Sequence, residues 1–355
     1  MNFLINILIF ASVLSILVFV HELGHLIAAK RFGVYCQEFA IGMGPQIYKI
    51  KKPHWETTYS IRALPFGGFV SMAGEPGEGD MGVPESRTMI GIARWKRLII
   101  MLAGIFMNLV LAIVIYTGIF AVQGHVVVPE AKILTVVADS PAEKAGIQVN
   151  DLITKVSFSD GTSKEINHFS DLQVAFTVYK DQEVTLTIVR DGSQLDLPIT
   201  PEFDAKNQTS VIGIQGPNAT LEKVGIIESL KLSFTQIGKD VSQMIFLLTR
   251  VFRGIGFENL GGPIAIYGAT SQVVTYGLSY YFNLLALLSI NLAVVNLLPI
   301  PVMDGGRVVL TLIEMIIRRP IPEKIENAVM LASMALVLMF FIAVTFNDVI
   351  RSLPI

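Results

Sequence analysis

Charge is scarce in this 355-residue chain, and cysteine is nearly absent. The single cysteine, Cys36, excludes an intrachain disulfide and any multi-cysteine zinc site. Charged residues make up 16% of the sequence, against about 25% in an average soluble domain. No basic block is present to suggest nucleic acid, and a net charge of −2 points to no particular partner. Hydrophobic residues fill the gap at 52%. That is the composition of a polytopic membrane protein with room for one additional soluble domain.

Four stretches are apolar enough to span a bilayer: residues 3–25, 98–122, about 281–298 and about 328–346. The first opens with an unbroken run from Phe3 to Val20, and eighteen helical residues cover ~27 Å, roughly the hydrocarbon thickness. It has neither a basic leader nor a small-residue cleavage site, so a cleaved signal peptide is not expected. Basic residues cluster in 30–97 and again at Arg318, Arg319 and Lys324. The positive-inside rule then assigns both connections to the cytoplasm, and both termini and about 124–225 to the outside.

The first span runs into His21-Glu22-Leu23-Gly24-His25. Ionisable groups at membrane depth are costly and mark function. On a helix, His21 and His25 share one face, the spacing of two zinc ligands with the intervening Glu22 as general base. A chance match on an ordinary membrane helix is the bland alternative. A catalytic zinc needs a third protein ligand and one open position. Asp304 fits that role: it follows a span broken by Pro299 and Pro301, where irregular backbone at membrane depth lines a cavity or is buried in protein. Its competing reading is as N-cap of a helix over 306–317.

Between spans one and two, glycines and prolines punctuate strand-like stretches at Gln46–Ile50 and Thr57–Ile61. Phe66-Gly67-Gly68-Phe69-Val70 suits a β-hairpin whose backbone approaches something closely. From Lys132 to Thr200 the pattern becomes that of a small α+β domain. Strands are predicted at 133–137, Leu152–Phe158, Val184–Arg190 and Leu195–Ile199, the last two joined by an Asp191-Gly192 turn. Ser140-Pro141 starts a short helix that Gly146 ends, and a further helix is predicted from about Ser170 to Val178. Residues 226–256 are helix-periodic and amphipathic, suited to the membrane surface or to packing on the soluble domain, and Gly261-Gly262-Pro263-Ile264 is expected to break them off.

Taken together, His21-Glu22-Leu23-Gly24-His25 and Asn296-Leu297-Leu298-Pro299 through Asp304-Gly305 resemble the two motifs of the site-2 protease family of intramembrane zinc metalloproteases, in its bacterial RseP-like branch. Met303 stands where Leu is commoner. Ser140-Pro141-Ala142, Ala145-Gly146-Ile147 and Asp151-Leu152-Ile153 are similar to a bacterial PDZ domain, present once. The resemblance implies four transmembrane helices, a membrane-associated β-hairpin loop and one inserted extracytoplasmic PDZ domain. The corresponding divisions are 1–30, 31–97 (a re-entrant hairpin on the cytoplasmic side), 98–122, 126–202 (PDZ), 203–280 (PDZ C-terminal and amphipathic helical region) and 281–355. It further implies Zn²⁺ held by His21, His25 and Asp304, and Glu22 as proton carrier. Asn296, Pro299 and the hairpin residues Gly67, Gly68 and Phe69 would contact substrate. That substrate would be a single-pass membrane protein such as an anti-sigma factor, already trimmed by a site-1 protease, cut at the cytoplasmic side of a bacterial inner membrane. Remnant signal peptides are an alternative substrate. A metal transporter or a tethered PDZ adaptor would leave either the domain or the intramembrane acids unexplained.

Overall fold

The computed structural model describes residues 2–75, 78–127, 129–159, 161–169, 171–172, 183–204, 209–217, 220–252 and 261–352. The chain divides into two compact units, Met1–Val122 with Gly225–Ile355, and Gln123–Val224.

The first unit is helical. Its principal members are α1 (Asn2–Arg31) and α2 (Arg94–Gln123). Among the described residues, four helices are long and apolar enough to cross a membrane, over Leu4–Arg31, Arg94–Gln123, Leu278–Asn296 and Lys324–Ile350. Three of them outlast the apolar stretch predicted for them at both ends or at the C-terminal end, because helix continues into the polar flanks. The helix over Leu278–Asn296 starts three residues earlier than predicted and stops at Asn296, two residues short. Their outward residues are apolar as well, among them Leu8, Phe106, Leu338 and Phe341, as suits helices that meet lipid. Small residues set the closest packing. A Cβ on Gly24 would sit 2.7 Å from the Ala103 carbonyl carbon and 2.9 Å from Met107 Cγ, so the backbones of α1 and α2 approach one another directly there.

Beyond the second unit the chain forms α4 (Ile226–Phe252), α5 (Pro263–Ser271), α6 (Val273–Tyr276) and α7 (Leu278–Asn296). The amphipathic α4 turns its apolar stripe to membrane helices: Ile237 and Val241 pack on Ala112, Tyr116, Ala286 and Ile290. Tyr116 donates to Asp240 at 2.7 Å, and Thr117 to Ser233 at 3.2 Å. The break expected at 261–264 is instead a helix start. Pro263 takes the first turn of α5, where its missing N–H costs nothing, and Asp348 accepts from Ala265 N at 3.0 Å. After a turn over 297–303 come α8 (Asp304–Ile317) and α9 (Glu323–Ser352).

Two long strands, β1 (Cys36–Ile50) and β2 (Thr58–Met72), join α1 to α2. Both bend at glycines with positive φ: Gly42 (87°), Gly44 (82°) and Gly67 (77°). The bends let residues 38–41 pair on both sides. Ile41 faces Gly68 and also Ile61, and Phe39 faces Val70 and also Tyr59. The opposite flank of 59–62 takes residues 46–50, with Gln46 against Arg62 and Ile50 against Tyr59. The result is four short lanes in the order 46–50, 58–62, 38–41 and 68–72. Among the described residues no strand covers the outer edge of 68–72. Glu38 ties the lanes together, accepting from Arg62 Nη2 with both oxygens (2.9 and 3.0 Å) and from the Ser60 hydroxyl.

The second unit contains β3 (His125–Val127), β4 (Thr135–Val136), α3 (Pro141–Lys144), β5 (Leu152–Phe158), β6 (Ser163–Glu165), β7 (Val184–Arg190), β8 (Ser193–Ile199), β9 (Glu202–Asp204), β10 (Thr209–Val211), β11 (Ile214–Gln215) and β12 (Thr220–Glu222). An antiparallel sheet in the order β6-β5-β7-β8 carries the core, where Ile133, Ile153, Val156, Leu186 and Ile188 are fully buried. Each such side chain contributes about 1.5–3 kcal/mol of burial. The Asp191-Gly192 turn has positive φ at both residues, as the β7–β8 hairpin requires. Ser140 Oγ accepts from Glu143 N to cap α3, and Gly146 follows with φ 78°. The strand predicted at 133–137 shortens to two residues, Thr135–Val136; Leu134 N and Val137 N still bond Gln215 and Gly213 on either side, while Ile133 N turns to Asp151. The helix predicted at 170–178 lies almost entirely outside the described residues. The unit also runs on past 202, since β11 returns to pair with β4 and β12 with β3.

Candidate metal centre

Three donor atoms converge inside the membrane unit. His21 Nε2 and Asp304 Oδ2 are 3.0 Å apart, His25 Nε2 and Asp304 Oδ2 3.3 Å, and the two Nε2 atoms 3.2 Å. The two imidazoles come from successive turns of α1, and both are buried. Asp304 arrives from α8, about 280 residues away in sequence. Its role as an N-cap fails on geometry. Met303 occupies the cap position with no side-chain bond, and Asp304 is already the first helical residue, leaving its carboxylate free to face α1. Gly305 and Gly306 make this start possible. A Cβ on Gly305 would lie 2.6 Å from the Leu298 carbonyl oxygen, and one on Gly306 would strike the Ile300 carbonyl, so the turn packs directly on the helix that presents the acid.

The donor set fits zinc. At Zn–N and Zn–O distances of about 2.0 Å, the edge of a tetrahedron is about 3.3 Å. All three donor separations lie close to that edge. His25 Nδ1 is 2.8 Å from the Ile100 carbonyl oxygen. A carbonyl only accepts, so Nδ1 carries the proton and Nε2 presents its lone pair to the centre. Asp304 Oδ2 is buried with no hydrogen-bond donor of its own. A carboxylate oxygen so placed, between two imidazole nitrogens, has the chemistry of a position that could hold a metal ion.

A cavity of about 330 Å³ opens on this trio, lined also by Glu22, Phe69, Val70, Met72 and Val302. Gly68 holds the 68–72 lane against α1: a Cβ there would meet Val18 Cγ1 at 3.1 Å and Glu22 Cγ at 3.7 Å. The 68–72 lane therefore lies beside Glu22. Gly67 supplies the bend, and the Arg62 guanidinium lies 4.8 Å from the Phe69 ring. Asn296, the last residue of α7, reaches to 3.4 Å from His21 Nε2. Pro299 is exposed in the 297–303 turn, and of the residues expected to meet substrate only Phe69 lines the cavity itself; Gly67, Gly68, Asn296 and Pro299 lie outside its lining. Cys36 is buried, its thiol pushed up to about 12 by burial, so it serves as core rather than as ligand or nucleophile.

Sequence reasoning missed the layer behind the ligands. Ile100, Gly104 and Asn108 recur every fourth residue on α2 and face the histidines. A Cβ on Gly104 would lie 2.7 Å from His21 Cε1 and 2.8 Å from His25 Cε1. The available signal was Asn108 itself, the one amide within residues 98–122, since a polar group at that depth calls for a partner.

Two buried imidazoles meeting a half-buried carboxylate, with a half-buried glutamate beside the first imidazole, form the kind of donor set that a hydrolytic metal site uses, here in a helical membrane protein. The sequence matches the pattern of peptidase family M50 over residues 9–340. A Clostridium perfringens (strain 13 / Type A) relative that bears a zinc metalloprotease name is 36% identical, covering 95% of this chain and 96% of its own length. The regulator of sigma-W protease RasP of Bacillus subtilis (strain 168) is 29% identical, covering 98% and 99%. This chain belongs to peptidase family M50 and is a zinc metalloprotease.

Proposed function

We propose that the protein cleaves peptide bonds within or near the transmembrane segment of single-pass membrane proteins. The observation that carries this is the meeting of His21, His25 and Asp304 at 3.0–3.3 Å inside a bundle of membrane helices, with Glu22 alongside. These three residues hold zinc. Zinc supplies Lewis acidity there, lowering the pKa of water and drawing electron density from the scissile carbonyl. Glu22 takes the proton of the attacking water and returns it to the leaving nitrogen. A helical substrate hides its peptide bonds in its own hydrogen bonds, so it must be opened first. Pairing to the free edge at Gly67, Gly68 and Phe69 replaces those bonds and holds the chain extended beside Glu22. Asn296 binds the extended chain near the cut. Pro299 acts at one remove, by ending α7 so that the turn can present Asp304.

The membrane is the bacterial inner membrane, with both termini and the α+β unit outside and the zinc site toward the cytoplasm; the distribution of Lys and Arg supports this. The α+β unit acts as a PDZ domain, supported by the Ser140-capped α3 and the antiparallel sheet around it. A substrate already trimmed by a site-1 protease, such as an anti-sigma factor, accords with the sigma-regulator name of the Bacillus subtilis relative. Glu22→Gln tests the chemistry. It should keep full zinc content and lose cleavage of a membrane substrate reconstituted in liposomes. Retained turnover removes Glu22 from its role. Substrates trapped by that variant and identified by mass spectrometry separate anti-sigma factors from remnant signal peptides.

A further inference from the structure

We infer that Asn108 is a positioning residue for the metal centre: its side-chain amide sets the tautomer and orientation of His21, so that Nε2 stays bare for the metal. This rests on the reading of His21 as a zinc ligand. The Asn108 side-chain nitrogen, as placed, lies 3.2 Å from His21 Nδ1, its oxygen has no partner, and the residue is fully buried. Ser289 Oγ donates to its backbone carbonyl at 2.8 Å, which ties α2 to α7 at this point.

Which atom of the amide faces the ring decides the chemistry. Oxygen and nitrogen exchange places by a half-turn of the side chain. With nitrogen toward the ring, the amide donates to Nδ1, the imidazole proton moves to Nε2, and the atom meant for the metal is capped. With oxygen toward the ring, Nδ1–H donates to Asn108 Oδ1 and Nε2 is free. Either way one amide atom is left without a partner, as Oδ1 is in the first arrangement, so amide satisfaction does not choose between them. The histidine chooses. His25 shows the same solution one helical turn on, where Nδ1 faces the Ile100 carbonyl, an obligate acceptor. Residues 100 and 108 thus present two acceptors two turns apart on α2, matching two imidazoles one turn apart on α1, and Gly104 between them leaves the rings their space. Ligating histidines are commonly held this way, and loss of such a partner costs about 10–100-fold in metal affinity.

The test is zinc affinity of the purified full-length protein, measured by competition with a chromogenic chelator. Asn108→Asp keeps an acceptor and has no N–H to donate, so it should bind zinc at least as tightly as the wild type. Asn108→Leu, similar in size, should weaken binding about 10–100-fold. Asn108→Ala serves in its place if the leucine protein does not fold, and thermal unfolding of the zinc-free proteins shows which variants are folded. Cobalt(II) in place of zinc adds a spectroscopic readout: the visible bands of the tetrahedral ion should match wild type in the aspartate variant and shift in the leucine variant. Equal loss in Asp and Leu would mean that Asn108 donates or merely packs, and would overturn the inference. So would wild-type affinity in the leucine variant. His21→Ala separates the two levels of the argument: if it too leaves zinc affinity unchanged, the ligand assignment itself has failed.

Discussion

Gly104→Ala should abolish zinc binding while leaving the zinc-free protein folded. The added methyl group would lie 2.7 Å from His21 Cε1 and 2.8 Å from His25 Cε1, and still closer to His25 Nε2. Ordinary carbon contact is about 3.5–4.0 Å, so each ring must retreat by roughly 1 Å. The rings cannot swing aside cheaply, because His25 Nδ1 is held by the Ile100 carbonyl and His21 Nδ1 by Asn108. A metal ligand displaced by more than about 0.2 Å leaves the bonding distance, so at least one donor is lost. Loss of a supporting partner alone costs about 10–100-fold, and loss of a donor should exceed the upper end of that range. Stability of the zinc-free protein moves the other way in part. Alanine is favoured over glycine in a helix by about 0.8–1.0 kcal/mol, against an overpacking cost of about 1–3 kcal/mol. The net change is small beside the loss of metal binding. Elemental analysis and chelator competition measure the metal, and thermal unfolding in EDTA measures the fold. Wild-type zinc affinity in a folded Gly104→Ala protein would refute the placement of α2 against the ligands.

Gly68→Val should retain zinc and lower cleavage of a reconstituted membrane substrate at least about 10-fold, since its Cβ would press on the Ala40 carbonyl oxygen (2.8 Å) and on Val18 (3.1 Å) and lift the free strand edge from Glu22. Equal cleavage rates at equal metal content would detach that edge from substrate binding. In the second unit, Asp151 is buried and accepts from Arg190 Nε and Nη2 at 2.7 Å each and from Gln148 N at 2.8 Å. Burial opposes its ionisation, but the Arg190 and Gln148 bonds outweigh it and hold the carboxyl below the usual range. Asp151→Asn should therefore destabilise the unit at neutral pH by about 1–2 kcal/mol, because a charge-assisted bond to a buried acceptor is lost while the partly exposed Arg190 regains water. A depressed acid pKa gives stability that is present above the unfolded value and lost as pH falls through the folded one. The gap between wild type and variant, read by hydrogen exchange of the β5 and β7 amides, should thus close toward acid pH; a gap constant down to pH 3 contradicts the assignment.

Local chemistry made half of the centre legible. His21 and His25 lie on one helical face at any register of α1, and the glycine and proline pattern around Asp304 already marks a broken helix. The choice between ligand and cap for Asp304 was open until the backbone was known, because one residue of shift decides it, and Met303 takes the cap position. Non-local pairing was out of reach of periodicity. Gln46–Ile50 and Thr57–Ile61 read as strands, yet the folding of β1 and β2 into four lanes depends on three positive-φ glycines acting together. The return of β11 and β12 to β4 and β3 likewise leaves no local trace, so the predicted domain ended at 202 and the observed unit ends at 224. At Asn108 the residue type was informative but its direction was not: an amide in a span asks for a partner without saying which.

The distance in sequence between the two halves raises the question of what holds Asp304 in register with α1. Hydrophobic packing alone allows α8 to slide or rotate, because apolar side chains interchange with little penalty. Polar contacts pin it at both ends. Arg307, one turn beyond Asp304, donates to Glu75 at 2.7 Å at the end of the β1–β2 ribbon. Near the other end of α8, Glu314 accepts from Arg97 of α2 at 2.9 Å and from Ile321 N at 2.9 Å. Glu75 and Glu314 are largely buried, and a buried ion pair contributes little net stability because desolvation offsets the attraction. What such pairs do supply is discrimination, since a slipped helix leaves a carboxylate and a guanidinium unpartnered at several kcal/mol each. The same two contacts join α8 to the elements on either side of the cavity: the ribbon that offers the strand edge, and the helix that backs the histidines. One helix thus carries Asp304, the proposed third ligand, and measures its position against both.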